Sequence, residues 1–169
     1  MSYSQKLLAY ATAVRSVLPD PERPGRVKSA VDALEGAERL DPVLHTVRRG
    51  VRALPLGDDV RDALHGRWLG HPVHPLLVQV PIGTWLSAAV LDLLPGRRPT
   101  AGLLVGTGLA AAVPTAVTGW VDWAELREPQ LRVGFVHAAM NSLAVGLYAA
   151  SLTARLRGRS LRGRALGYA

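Results

Sequence analysis

The chain contains no cysteine. That absence excludes a disulfide, a Cys-ligated zinc site, an iron–sulfur cluster held by this chain and a covalently attached c-type haem. The N-terminal segment does not read as a secretory signal, because Lys6 and Arg15 bracket an apolar stretch of only residues 7–14. No nucleophile–base pair, phosphate-binding glycine loop or pair of catalytic carboxylates stands at a recognisable spacing, so the residues give no reason to expect an enzyme. Gly102, Gly106 and Gly108 imitate a nucleotide loop only superficially, since they lie inside an apolar run with no preceding strand.

What is present is hydrophobic length. A mean hydropathy of +0.15 averages a polar first part with an apolar remainder. Residues 76–94, 99–121 and 133–154 give runs of 19, 23 and 22 residues, against the roughly 20 needed to cross about 30 Å of hydrocarbon at 1.5 Å per residue. The first run is the weakest, being interrupted by Gln79, Thr84, Ser87 and Asp92. Asp92 stands near its end, where a carboxylate reaches the interface or a neighbouring helix. The expectation is an all-α, polytopic helical membrane bundle with three spans.

The net charge of +7 does not indicate nucleic acid. Of 20 Lys and Arg, 11 fall in the first 67 residues among 9 acids. The excess lies beside the spans, at Arg97 and Arg98 and at Arg155, Arg157, Arg159, Arg162 and Arg164, where topology and anionic headgroups explain it better.

Residues 1–69 read as a helical region, soluble or lying on the membrane surface. A helix is expected over 4–18, a Pro-rich turn over 19–26, and further amphipathic pieces over 27–40, 42–54 and 59–65. Asp41 is placed to cap the third of these helices, with Pro42 at its first position. Such a region is marginal for an independent core, which predicts packing on the membrane surface or against a partner. His45 and His65 are expected to be solvated. Residues 70–155 form the transmembrane domain and 156–169 a basic tail.

The spans set a geometry. The first leaves one end of the bundle, face A, after Gly70-His71-Pro72-Val73-His74-Pro75 and reaches face B at Pro95-Gly96-Arg97-Arg98. The second returns to face A at Trp120-Val121-Asp122-Trp123, and the third departs from Val133. His71, His74, Asp122, His137 and Asn141 therefore gather at face A, with His137 and Asn141 as i,i+4 neighbours. Trp68, Trp120 and Trp123 suit an interface. Seven arginines near face B, against two in the loop 122–132, point to face B as cytoplasmic and to the histidines as extracytoplasmic.

These same motifs, with Pro81-Ile82-Gly83-Thr84-Trp85, Pro114 and His137-Ala138-Ala139-Met140-Asn141, resemble the bacterial membrane domain called domain of unknown function 2231. The stretch 37–69 is also similar to its actinobacterial members. The resemblance implies a small polytopic bundle in the bacterial cell membrane, often fused to or encoded beside a Rieske-type iron–sulfur domain. It also implies a fourth span, of which residues 165–169 look like the beginning.

Three readings of the face-A residues follow. In one, His137 with His71 or His74 ligates a b-type haem, with Asn141 or Asp122 fixing a tautomer. In another, His71, His74, Asp122 and His137 form a zinc or copper site. In the third they are structural: His74 caps the helix begun by Pro75, Asp122 pairs with His137 or Arg127, and Asn141 bonds across helices. The expected function is membrane anchoring or electron-transfer support for a Rieske-type or quinone-linked redox partner. A small transporter is the remaining alternative, with a polar route through Gln79, Thr84, Asn141 and Tyr148. Small residues at Gly83, Ser87, Gly102 and Gly106 make a homo-oligomer plausible.

Overall fold

The computed structural model describes residues 25–169 together with Gln5. The expected helix over 4–18 and most of the turn after it lie outside the described residues. Helices follow one another without a strand among the described residues. They are α1 (Arg26–Glu35), α2 (Asp41–Arg52), α3 (Asp58–His65), α4 (His74–Leu77), α5 (Gln79–Leu93), α6 (Arg98–Trp123), α7 (Glu128–Leu156) and α8 (Ser160–Gly167).

The three spans are present. His74–Leu93, combining α4 and α5, together with α6 and α7, are long and apolar enough to cross a membrane. Helix α7 begins at Glu128, five residues before the apolar run, because the Gln130 side chain accepts from the Arg127 backbone N–H at 3.4 Å and Pro129 fits the first turn. His137 consequently lies about 13 Å along the helix axis, deeper from the start than the apolar run alone implies.

The spans approach closely where side chains vanish. A Cβ on Gly108 would fall 2.2 Å from Trp85 Nε1 and 2.6 Å from Thr84 Oγ1, so only glycine lets α5 and α6 meet there. Ala88, Ala101 and Val105 fill the contact beside it, with Leu152 and Tyr148 of α7 packed against them. Gly102 and Gly106 face Arg155 and Leu152 across the α6–α7 seam, whereas Gly83 has open space around it. Pro114 sits inside α6. Thr115 and Thr118 donate back to the carbonyls of Ala111 and Pro114 around it, the kind of accommodation a span allows.

At face A, residues 37–65 fold down onto the ends of the spans. Leu44, Trp123, Ala124 and Leu131 form a buried core shared by α2, α6 and α7. Arginines supply the polar part of the docking. Arg48 donates to the carbonyls of Ala124 and Leu126 at 2.7 and 3.2 Å, satisfying acceptors just past the end of α6. Arg132 forks onto Asp41 through two 2.8 Å bonds and also donates to the Glu35 carbonyl.

That fork corrects the expected role of Asp41. Its helix is capped by Leu40 with no side-chain bond, because the guanidinium engages both carboxylate oxygens. The guanidinium of Arg132 also holds the Asp41 carboxyl below the usual carboxylate range. The helix expected over 27–40 stops at Glu35, where Gly36 ends it and a short turn of 3-10 helix follows.

Face B is held by a buried ion pair. Arg155 of α7 reaches Asp92 of α5 with Nη1–Oδ1 at 2.9 Å and a second bond from Nη2 to Oδ2. The two side chains are only 8% and 3% exposed. Arg155 Nε also donates to Ser151 Oγ at 3.2 Å, and Ser151 in turn donates to the Gly163 carbonyl of α8 at 2.5 Å. Tyr168 closes this end with a 2.7 Å bond to the Ala89 carbonyl.

Candidate ligand site between the spans

Between α5, α6 and α7 lies a cavity of about 760 Å³, within the roughly 300–1,000 Å³ range of small-molecule sites. Its walls are chiefly apolar, with Pro81, Ile82, Leu109, Val113, Val117 and Val145 among them. Trp85, Trp120 and Trp123 add aromatic faces. Trp85 is braced from behind by Tyr148, stacked at 4.0 Å and 14°. Trp120 meets Trp123 edge-on at 5.2 Å.

The face-A end of the cavity is walled by Trp120, Trp123 and Leu126, which also pack with Leu44 in the core beneath α2, part of the cap formed by residues 37–65. The cavity is open along the spans, since Ile82 of α5, Val113 and Val117 of α6, and His137, Asn141 and Ser142 of α7 line it while remaining exposed on the protein. A ligand therefore has its easiest path from the bilayer rather than from water above face A.

Two imidazoles reach the cavity from different spans. His74 is the first residue of α4 rather than a cap preceding it, and its ring crosses to α6, where Nδ1 lies 2.9 Å from the Thr115 carbonyl. A carbonyl only accepts, so Nδ1 carries the proton, and in the neutral ring Nε2 is left with a lone pair. Gly119 makes this possible, because a Cβ there would lie 2.8 Å from the ring. This cross-helix bond and the close packing outweigh the extended bias that Pro75 imposes on the residue before it.

His137 has the complementary arrangement. Asn141 Nδ2 lies 2.9 Å from both the His137 carbonyl and His137 Nε2. The carbonyl fixes that atom as the amide nitrogen, so Nε2 must accept and the imidazole proton resides on Nδ1. Asn141 thus bonds within its own helix and does not bridge to another. Neither His74 Nε2 nor His137 Nδ1 has a hydrogen-bond partner among the described residues.

The other sequence candidates are dispersed. His71 is exposed, with Nδ1 2.9 Å from the carbonyl of Pro72, and does not line the cavity. Asp122 lines it, yet its Oδ1 lies 2.7 Å from Nδ1 of His65 at the end of α3. His65, expected to be solvated, is thus a half-buried clamp between the cap and α6, because α3 is folded back onto the span. Gln79, Thr84 and Tyr148 stand outside the cavity lining, the first two donating to carbonyls of their own span, Pro75 and Val80. For a haem, His74 has the usual ligating arrangement, one nitrogen bonded to a carbonyl and the other open. His137 has its Nε2 engaged by Asn141, so the site suits one axial imidazole and not two.

A second cluster was not foreseen. One ligand atom each from Asp41, His45 and Glu128 falls within 4.8 Å of the others. Arg132 engages both oxygens of Asp41, and Arg48 stands 3.5 Å from Glu128. The cluster is a charge-balanced seam between cap and span.

No curated protein and no solved structure matches the chain. A family model does match residues 70–169, from the His-Pro-x-His-Pro element through α8. The similarity noted upstream over 37–69 falls outside that match. With three apolar helices and this match over more than half its length, the chain belongs to the DUF2231 family of predicted membrane proteins.

Proposed function

We propose that the protein is a membrane anchor or electron-transfer support subunit for a Rieske-type or quinone-linked redox partner. On this reading its working part is the face-A cavity, which holds a membrane-soluble redox ligand beneath the cap. The observation that carries the proposal is the cavity itself: about 760 Å³, largely apolar, placed between spans and supplied with His74 and His137. A purely passive anchor needs no such space, and imidazoles on two helices are suited to proton-coupled redox chemistry.

The test is chemical analysis of what the intact protein carries. Protein purified in lipid nanodiscs is extracted with organic solvent, and the extract is analysed for redox-active molecules beside the visible oxidised-minus-reduced spectrum. A redox-active species near one per chain is the expected result. Phospholipid alone with a featureless spectrum removes the electron-transfer reading.

A b-type haem is the second reading, favoured by the bond from His74 Nδ1 to Thr115 that leaves Nε2 open. It predicts a Soret band with reduced α and β bands that disappear in His74→Ala and persist in His71→Ala.

A further inference from the structure

We infer that the cavity is a quinol site that prefers the reduced ligand to the oxidised one, an inference that rests on the electron-transfer reading and names its ligand. The argument lies in the two proton positions. His137 presents Nδ1–H because Asn141 occupies Nε2. His74 presents a bare Nε2 because Thr115 takes the proton on Nδ1. One span offers a hydrogen-bond donor and the other an acceptor.

A ligand that satisfies both needs an oxygen that accepts and a hydroxyl that donates. A quinol has both: one hydroxyl oxygen accepts from His137 while the other O–H donates to His74. A quinone has only acceptors, so it satisfies His137 and leaves His74 Nε2 unpaired in an apolar setting. The remaining lining suits the same class, with Trp85, Trp120 and Trp123 among mostly apolar side chains. The lining exposed along the spans, at Ile82, Val113 and Val117 as well as on α7, is an exit for an isoprenoid tail into the bilayer. A free metal ion gains nothing from walls of this kind, and a charged ligand finds no counter-ion other than Asp122, already paired with His65.

Losing one hydrogen bond while leaving its acceptor unpaired weakens binding by about tenfold. The full-length protein in nanodiscs is titrated anaerobically by calorimetry with a decyl-substituted benzoquinol and, separately, with its quinone. The expected result is quinol binding tighter than quinone by about tenfold, converging in His74→Phe through loss of quinol affinity alone. Phenylalanine keeps a flat ring over Gly119 and removes both nitrogens. Asn141→Leu, on the exposed face of α7, releases His137 from one tautomer, visible in imidazole ¹⁵N spectra, and lowers affinity for both forms while keeping the preference.

Equal binding of the two forms, or a preference unchanged in His74→Phe, overturns the inference. Haem in the purified protein with no quinol binding also overturns it and leaves the electron-transfer reading intact. Absence of any redox-active ligand, with neither quinol nor quinone binding, removes both.

Discussion

Removing either partner of the Asp92–Arg155 pair leaves the other charge buried at the face-B end of the bundle. In Asp92→Ala the guanidinium, 8% exposed, keeps only its bond from Nε to Ser151 and loses two charge-assisted bonds. At roughly 1.5–3 kcal/mol for each bond to a charged group, the loss is about 3–6 kcal/mol. The measured range for breaking a buried pair, about 3–5 kcal/mol, agrees. In Arg155→Ala the carboxylate, 3% exposed, is stranded instead, and Ser151 loses the donor that links α7 to the anchoring of α8. The double variant Asp92→Leu/Arg155→Leu removes both charges and leaves no orphan, so it should be far less damaged than the sum of the singles. Reversible unfolding in mixed micelles, run as a double-mutant cycle, measures this. The expected coupling is about 2 kcal/mol or more. Single losses below about 1 kcal/mol with additive effects would refute the reasoning, since they would mean the pair is solvated like a surface salt bridge.

The remaining predictions concern the cap and the helix seams. Asp41 has a depressed folded-state pKa owing to Arg132, so its contribution is present above the unfolded value near 3.9 and is lost as pH falls through the lower folded value. Hydrogen exchange of the α2 amides, corrected for intrinsic rate, should therefore lose protection only below about pH 4, and Asp41→Asn should already lack that protection at neutral pH. Gly108→Val places carbon atoms on Trp85 and Thr84 and should destabilise by about 1–3 kcal/mol or more, with altered Trp fluorescence from the displaced ring. Leu44→Ala opens the core under the cap, costing about 2–5 kcal/mol locally. Because Trp120 and Trp123 are shared by that core and the cavity, it should also make the tryptophans more accessible to acrylamide.

The spans were legible in the sequence because bilayer thickness imposes a requirement on consecutive residues. Hydropathy along the chain measures that requirement directly, and the helices exceed the apolar runs mainly where Arg127, Gln130 and Pro129 start α7 early. The ion pairs obey no such local rule. His65 meets Asp122 across 57 residues, Asp92 meets Arg155 across 63 and Arg132 meets Asp41 across 91. Which helix ends adjoin is decided by packing of the whole bundle, through seams such as Gly108 against Trp85. One pair did leave a trace. Asp92 is the lone acid in the first apolar run, and Arg155 is the first base after the third run, on the same face. A charge that must enter low dielectric needs a counter-charge at its own depth, and Arg155 opens the basic run on that face. At face A the spacing of residues does not reveal the partner of Asp122, because that partner comes from the cap rather than from a span. Once α3 folds back onto the span, its terminal His65 reaches Asp122, leaving His74 and His137 without a carboxylate between them. Their tautomers are then set by neutral groups, Thr115 and Asn141, whose bonds depend on side-chain geometry that spacing alone does not fix. The donor–acceptor asymmetry on which ligand discrimination rests is therefore a property of the folded bundle, written in two hydrogen bonds to residues that carry no charge.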